Sequence, residues 1–81
     1  MQVNNKIVIR FFGMLIEKTG CENLEFPFVD TTAVLMKNLI QQFPELEKMK
    51  FAISINCKIN TENQFLKPGD EIALLPPFSG G

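Results

Sequence analysis

The residues with chemical potential lie at the end of the chain, Pro76-Pro77-Phe78-Ser79-Gly80-Gly81. Elsewhere the sequence offers little to a catalyst. It has no histidine, which closes the Ser–His and Cys–His routes to nucleophilic catalysis and removes the commonest zinc ligand. Its two cysteines, Cys21 and Cys57, fit no metal or redox spacing and make too thin a set for a disulfide scaffold. What remains is the carboxylate of Gly81. A carboxylate is a poor electrophile, but ATP can turn it into an acyl-adenylate, and a sulfur nucleophile can then displace AMP to leave a thiocarboxylate. By the logic that governs cysteine, that group is ionised near neutral pH and is a competent nucleophile. The sequence has no P-loop and no Gly-rich nucleotide motif. We therefore expect no cofactor bound to this chain, with ATP held by an activating partner enzyme.

The tail is built for insertion. Six residues reach at most roughly 20 Å when extended. Pro76 and Pro77 stiffen its base and lower the entropy lost on entering a pocket. Gly80 and Gly81 carry no side chains, so they fit a narrow channel and accept the backbone angles it imposes. Such a tail needs a rigid base, and the rest of the chain must supply it.

With 81 residues, the chain is one domain, expected over 1–75 and followed by the extended tail 76–81. A chain of this size buries only about 60% of its unfolded surface. It can hold a modest core but not a deep enclosed active site as well. The hydrophobic share of 46% suits a globular protein. Eight phenylalanines without tryptophan or tyrosine suggest aromatic bulk used for packing.

Lys6 to Phe12 is β-branched and aromatic and reads as a strand. Gly13 to Gly20 reads as a connection with a helical turn around Leu15 to Lys18. Glu22 to Phe28 alternates, with Leu24, Phe26 and Phe28 on one side, and Pro27 places this second strand at a sheet edge. Asp30, Thr31 and Thr32 are all good N-cap residues. After them Leu35, Met36, Leu39, Ile40 and Phe43 follow helical spacing, with Lys37, Asn38, Gln41 and Gln42 on the other face, as for a helix lying on a sheet. Pro44 should end that helix near Phe43. Phe51, Ile53 and Ile55 mark a third strand, Asn60 to Asn63 a polar loop, and Pro68-Gly69 a turn. Ile72 to Leu75 is apolar on both faces, as for a strand in the middle of a sheet, and the prolines stop it. The order β-β-α-β-β predicts an α+β fold of ubiquitin-like β-grasp layout. It would have a mixed sheet of about four strands, one main helix across it, and the last strand beside and parallel to the first.

Charge excludes further functions. Eight basic and nine acidic residues give a net charge of −1. They are scattered, leaving no basic stripe for a phosphate backbone and no expectation of nucleic acid as a partner. No run of some 18 apolar residues spans a membrane. Arg10 interrupts the apolar start, so it does not read as a signal peptide. The expected location is the cytoplasm.

Several segments together carry a resemblance to a known family. Gly69-Asp70-Glu71-Ile72-Ala73-Leu74-Leu75-Pro76-Pro77-Phe78-Ser79-Gly80-Gly81 resembles the end of the small, sulfur-carrier subunit of molybdopterin synthase. The Phe-x-x-Leu-x-Glu-x-x-Gly pattern from Phe12 to Gly20, the helix end Phe43-Pro44-Glu45-Leu46 and the strand end Ile53-Ser54-Ile55-Asn56 are similar too. The likeness runs along essentially the whole chain. It implies that Gly81 is adenylated by an activating enzyme and thiocarboxylated with sulfur from a donor protein. It also implies that the tail enters the large synthase subunit, in a heterotetramer, to build the dithiolene of molybdopterin. On that reading Gly81 carries the sulfur and Gly80 keeps the tip slim. Phe78 anchors the tail at the pocket mouth, and Pro76, Pro77 and Ser79 complete the inserted segment. The chain would then be a non-catalytic subunit of a sulfurtransferase complex, not an enzyme on its own. It departs from the family pattern at Cys57, where Gly is frequent, and at Ile16, where Arg is common.

Rival functions share the tail. A sulfur carrier for thiamine biosynthesis has the same fold and Gly-Gly end, but Pro76-Pro77 favours the molybdopterin branch. A ubiquitin-like protein modifier needs the same tail and differs in its product. A β-grasp iron–sulfur protein needs four cysteine ligands and is excluded. Cys57 and Cys21 read as small hydrophobes or turn residues in preference to reactive thiols. Of Phe11 and Phe12, one must be core and the other is free to meet a partner. Asp70 and Glu71 are either solvated turn charges or a grip on a partner's basic residues.

Overall fold

The computed structural model describes residues 5–60 and 62–76. Its elements run β1 (Lys6–Phe11), α1 (Met14–Thr19), β2 (Asn23–Pro27), α2 (Thr32–Gln42), a 3₁₀ segment (Pro44–Lys48), β3 (Ala52–Ile55), β4 (Lys58–Asn60) and β5 (Glu71–Leu75). The strands form one mixed sheet in the order β2-β1-β5-β3-β4. β5 lies parallel to β1 and antiparallel to β3. This is the expected β-grasp arrangement, with the last strand in the centre and Pro27 on the outer strand.

Alternation along the strands divides the sheet into two faces. Ile7, Ile9 and Phe11 of β1, Ile72 and Leu74 of β5, Phe26 of β2 and Ile55 of β3 are buried on one face. Leu35 and Leu39 of α2 cover them, with Leu15 and Leu46 closing the core from the sides. Phe11 meets the half-buried Phe43 edge to face, with ring centroids 5.9 Å apart, a favoured aromatic geometry. Of the three candidate caps, Thr31 is the one used: its hydroxyl accepts from Val34 N at 3.3 Å. Asn63, from a distant loop, adds a second cap. Its Oδ1 accepts from Ala33 N at 2.9 Å and from the Thr32 hydroxyl at 3.1 Å. Phe43 ends α2, and Pro44 opens the 3₁₀ segment.

Two expectations need correction. The sheet has five strands, because Lys58–Asn60 pairs antiparallel with β3; Asn60, expected to open the polar loop, is the last residue of that strand. The link after β1 contains a six-residue helix, longer than the single turn expected. It is held by Leu15, which is fully buried.

Candidate functional site

The central position of β5 determines where the tail begins. Both long edges of the strand are hydrogen-bonded, to β1 and β3, so Pro76 issues from the most constrained part of the sheet. It is half-buried. The remaining predicted tail residues, Pro77, Phe78, Ser79, Gly80 and Gly81, lie outside the described residues.

The turn that follows β1 stands beside Pro76. Gly13 has φ 60° and ψ −136°, and Leu15 N donates to Phe12 O across it at 3.1 Å. These are the features of a tight turn with glycine at its first central position. A Cβ placed on Gly13 would sit 3.0 Å from Pro76 Cγ. Sequence reading left Gly13 as an ordinary connector; the signal available was a glycine directly after an apolar strand.

The predicted division of Phe11 and Phe12 holds. Phe11 is core, whereas Phe12 is 41% exposed and adjoins Gly13. The open face of the sheet carries further apolar side chains. Ile59 of β4 is opposite Ser54 of β3, which is opposite Ala73 of β5; Leu75 is opposite Ala52. Ile59 is 61% exposed. Val8, Ala52, Ala73 and Leu75 are half-buried. The outcome is a small apolar surface on the face from which the last residue of β5 projects. Ile59 went unrecognised because β4 itself did. Its flanks, Lys58 and Asn60, are polar, and the alternation is too short to stand out.

Asp70 and Glu71 are not idle charges. Asp70 accepts from Asn56 Nδ2 at 2.9 Å and from Lys67 N at 2.9 Å. Glu71 forms an ion pair with Arg10 across the parallel β1–β5 junction. Both partners of that pair are substantially exposed, so it adds little stability. These contacts support the start of β5. Cys57 lies exposed in the β3–β4 turn and Cys21 is half-buried; both thiols are free.

Among the described residues no group of His, Cys, Asp or Glu could hold a metal ion. A surface depression of about 440 Å³ is lined by Lys18, Pro44, Glu45, Glu47, Lys48 and Met49. It brings together no nucleophile with a base. Among the described residues, no helix is long and apolar enough to cross a membrane.

Comparison with known proteins agrees with this arrangement. A molybdopterin synthase sulfur carrier subunit of Arabidopsis thaliana is 30% identical over 80 residues, covering 94% of this chain and 83% of the relative. Subunit 1 and 2 of the molybdopterin-converting factor of Helicobacter pylori form a solved complex. One chain of it matches with a TM-score of 0.69 and 30% identity, over 94% of this chain and 99% of that one. A crystal structure of SAMP1 from Haloferax volcanii superposes with a TM-score of 0.80 at 24% identity, over 94% of this chain and 99% of that one. At that identity it shows the fold alone. Residues 9–81 match the profile of the ThiS family. The chain therefore belongs to the ThiS family of ubiquitin-like β-grasp proteins, among relatives named as the sulfur carrier subunit of molybdopterin synthase.

Proposed function

We propose that this chain carries sulfur as a thiocarboxylate on Gly81 and donates it to the dithiolene of molybdopterin. The observation that carries the reading is the central placement of β5, which roots the Pro-Pro-Phe-Ser-Gly-Gly tail in the hydrogen-bonded middle of the sheet beside an exposed apolar surface. In the activating step the Gly81 carboxylate attacks the α-phosphorus of ATP and pyrophosphate leaves. Hydrosulfide, released to the site at the sulfide level, then attacks the acyl carbon; AMP departs, and loss of the S–H proton leaves the thiocarboxylate. ATP and the machinery that binds it belong to an adenylating partner, and the sulfur comes from a donor protein. Among the described residues no group of His, Cys, Asp or Glu could hold a metal ion. The chain's contribution is position, which can account for a large part of a rate enhancement when the reacting atom is held in place.

The final acceptor stage takes place on a larger partner, with Pro76 to Gly81 inserted and Phe78 at the mouth. The complex of two molybdopterin-converting factor subunits in Helicobacter pylori supports a large-subunit partner; the heterotetramer and its cytoplasmic location belong to this proposal. Of the exposed large apolar side chains Phe12, Met14, Val34, Ile59 and Phe65, Phe12 beside the Gly13 turn and Ile59 on the open sheet face are the ones proposed for the docking contact. The relative and the structure at 30% identity both bear molybdopterin names, which favours this pathway over thiamine biosynthesis or protein modification.

The test is the intact mass of the untagged protein from its own host. A subpopulation in which one oxygen is replaced by sulfur, mapped to the peptide ending at Gly81, is the expected result. A plain carboxylate on every molecule, even with adenylating enzyme, ATP and sulfide supplied, would overturn the proposal.

A further inference from the structure

From the contact between Gly13 and Pro76 we infer that residue 13 is a positioning residue for the tail. The turn after β1 acts as a seat against which the Pro76 ring rests, and the seat sets the direction in which the chain leaves the sheet at Pro76. This deepens the proposed function and rests on it.

Three observations meet at this point. β1 and β5 are parallel neighbours, with Phe11 opposite Leu74, so the two strands end side by side and their continuations must diverge. Gly13 turns the β1 continuation away. Its φ of 60° with ψ of −136° is open to glycine and costly for an L-residue with a Cβ. The turn brings the Gly13 backbone so close to Pro76 that an added Cβ would stand 3.0 Å from Pro76 Cγ, with Pro76 Cβ and Cδ both at 3.8 Å. Neither partner can easily yield. Pro76 has its φ fixed by its own ring and is anchored through Leu75 to the sheet. Gly13 is held on its other side by α1, where Ile16 N donates to Gly13 O at 3.0 Å and Leu15 is fully buried. The proline thus stiffens the tail, and the missing side chain at residue 13 sets where the stiff segment points. Of the docking candidates, Phe12 is the first residue of this turn, whereas Ile59 lies on β4, away from it. A disturbed seat should therefore misdirect the tail while the part of the docking surface around Ile59 is kept.

Two variants and their combination test this. In Gly13→Ala the new Cβ meets Pro76 Cγ. Pro76→Ala removes that Cγ and leaves only ordinary contacts. The backbone cost of alanine at residue 13 is the same in both backgrounds, so the double variant isolates the contact. In the isolated full-length protein, nuclear Overhauser effects between Gly13 Hα and the Pro76 ring are expected. Residual dipolar couplings of the Phe78 amide should change in Gly13→Ala while those of β1 and β5 hold. With the host's adenylating enzyme, ATP and pyrophosphate, isotope exchange measures activation of Gly81. Gly13→Ala should lower kcat about tenfold, within the range that small misplacements of reacting groups produce, and leave KM within twofold. Adding Gly13→Ala to Pro76→Ala should lower kcat by less than twofold further.

A folded Gly13→Ala with unchanged Phe78 couplings overturns the inference, as does a kcat equal to the wild type. So does a loss that is equally large in the Pro76→Ala background, because it would belong to the backbone and not to the contact. Wild-type protein that supports no exchange at all overturns the carrier reading instead; the couplings still decide whether residue 13 directs the tail.

Discussion

The side chain of Asn56 reaches across to Asp70 and ties the tip of the β3–β4 hairpin to the start of the central strand. Asn56 Nδ2 donates to Asp70 Oδ1 at 2.9 Å, and Asn56 Oδ1 accepts from Glu71 N at 3.0 Å. Asp70 Oδ2 accepts from Lys67 N at 2.9 Å, which braces the Pro68-Gly69 turn. One asparagine thus fixes a hairpin, a turn and the entry to β5.

The tie should be measurable. Asn56→Ala removes both side-chain bonds from an exposed site and places alanine at φ 49°, a conformation asparagine tolerates better. The expected cost is about 1–2 kcal/mol in urea unfolding. The double variant with Asp70→Ala should cost less than the sum of the two single changes, since both remove the same bond. Strict additivity would show that the two side chains act independently.

The same hairpin holds a strained residue. Asn56 and Cys57 both have positive φ, 49° and 72°, as a two-residue turn of type I′ demands, and glycine is the favoured second residue there. Cys57→Gly removes the steric cost of the left-handed conformation and gives back part of it as unfolded-state entropy. A net gain of about 0.5–1 kcal/mol is expected, read as a rise in melting temperature, with sulfur loading at Gly81 unchanged.

Partner binding should depend on the exposed apolar residues and not on the core. Ile59→Asp and Phe12→Ser change side chains that are 61% and 41% exposed, so each should leave melting within a few degrees of wild type. Each should weaken titration calorimetry with the large subunit at least tenfold, or about 1.4 kcal/mol. Unaltered affinity in both variants would move the docking surface elsewhere.

Core truncation should behave in the opposite way. Leu39 is fully buried between α2 and the sheet, so Leu39→Ala should cost about 2–5 kcal/mol. In a domain of this size that lowers the melting temperature by at least about 10 °C, while affinity per folded molecule is kept. Stability close to wild type would mean that the core closes around the missing side chain.

The main helix and the central strand were legible in the residues alone. The absence of histidine directed attention to the Gly80-Gly81 end, and the role proposed for Gly81 rests on that reading of the residues. The spacing of Leu35, Leu39 and Phe43 declared α2. The run Ile72 to Leu75, apolar at every position, placed β5 in the sheet interior, where both edges are hydrogen-bonded and Ile72 and Leu74 are fully buried on the core face. Periodicity and turn chemistry are local, and long segments express them clearly. Short elements depend on what they meet. The six residues of α1 have too few internal hydrogen bonds to form alone and exist because Leu15 docks in the core. β4 is a strand because Ile55 and Lys58 are brought opposite each other by a turn whose usual glycine is replaced by Cys57. The seat of Pro76 on Gly13 belongs wholly to the tertiary structure. It arises only when parallel pairing brings the end of the first strand beside the end of the last, because sequence spacing carries no information about which distant backbones will touch.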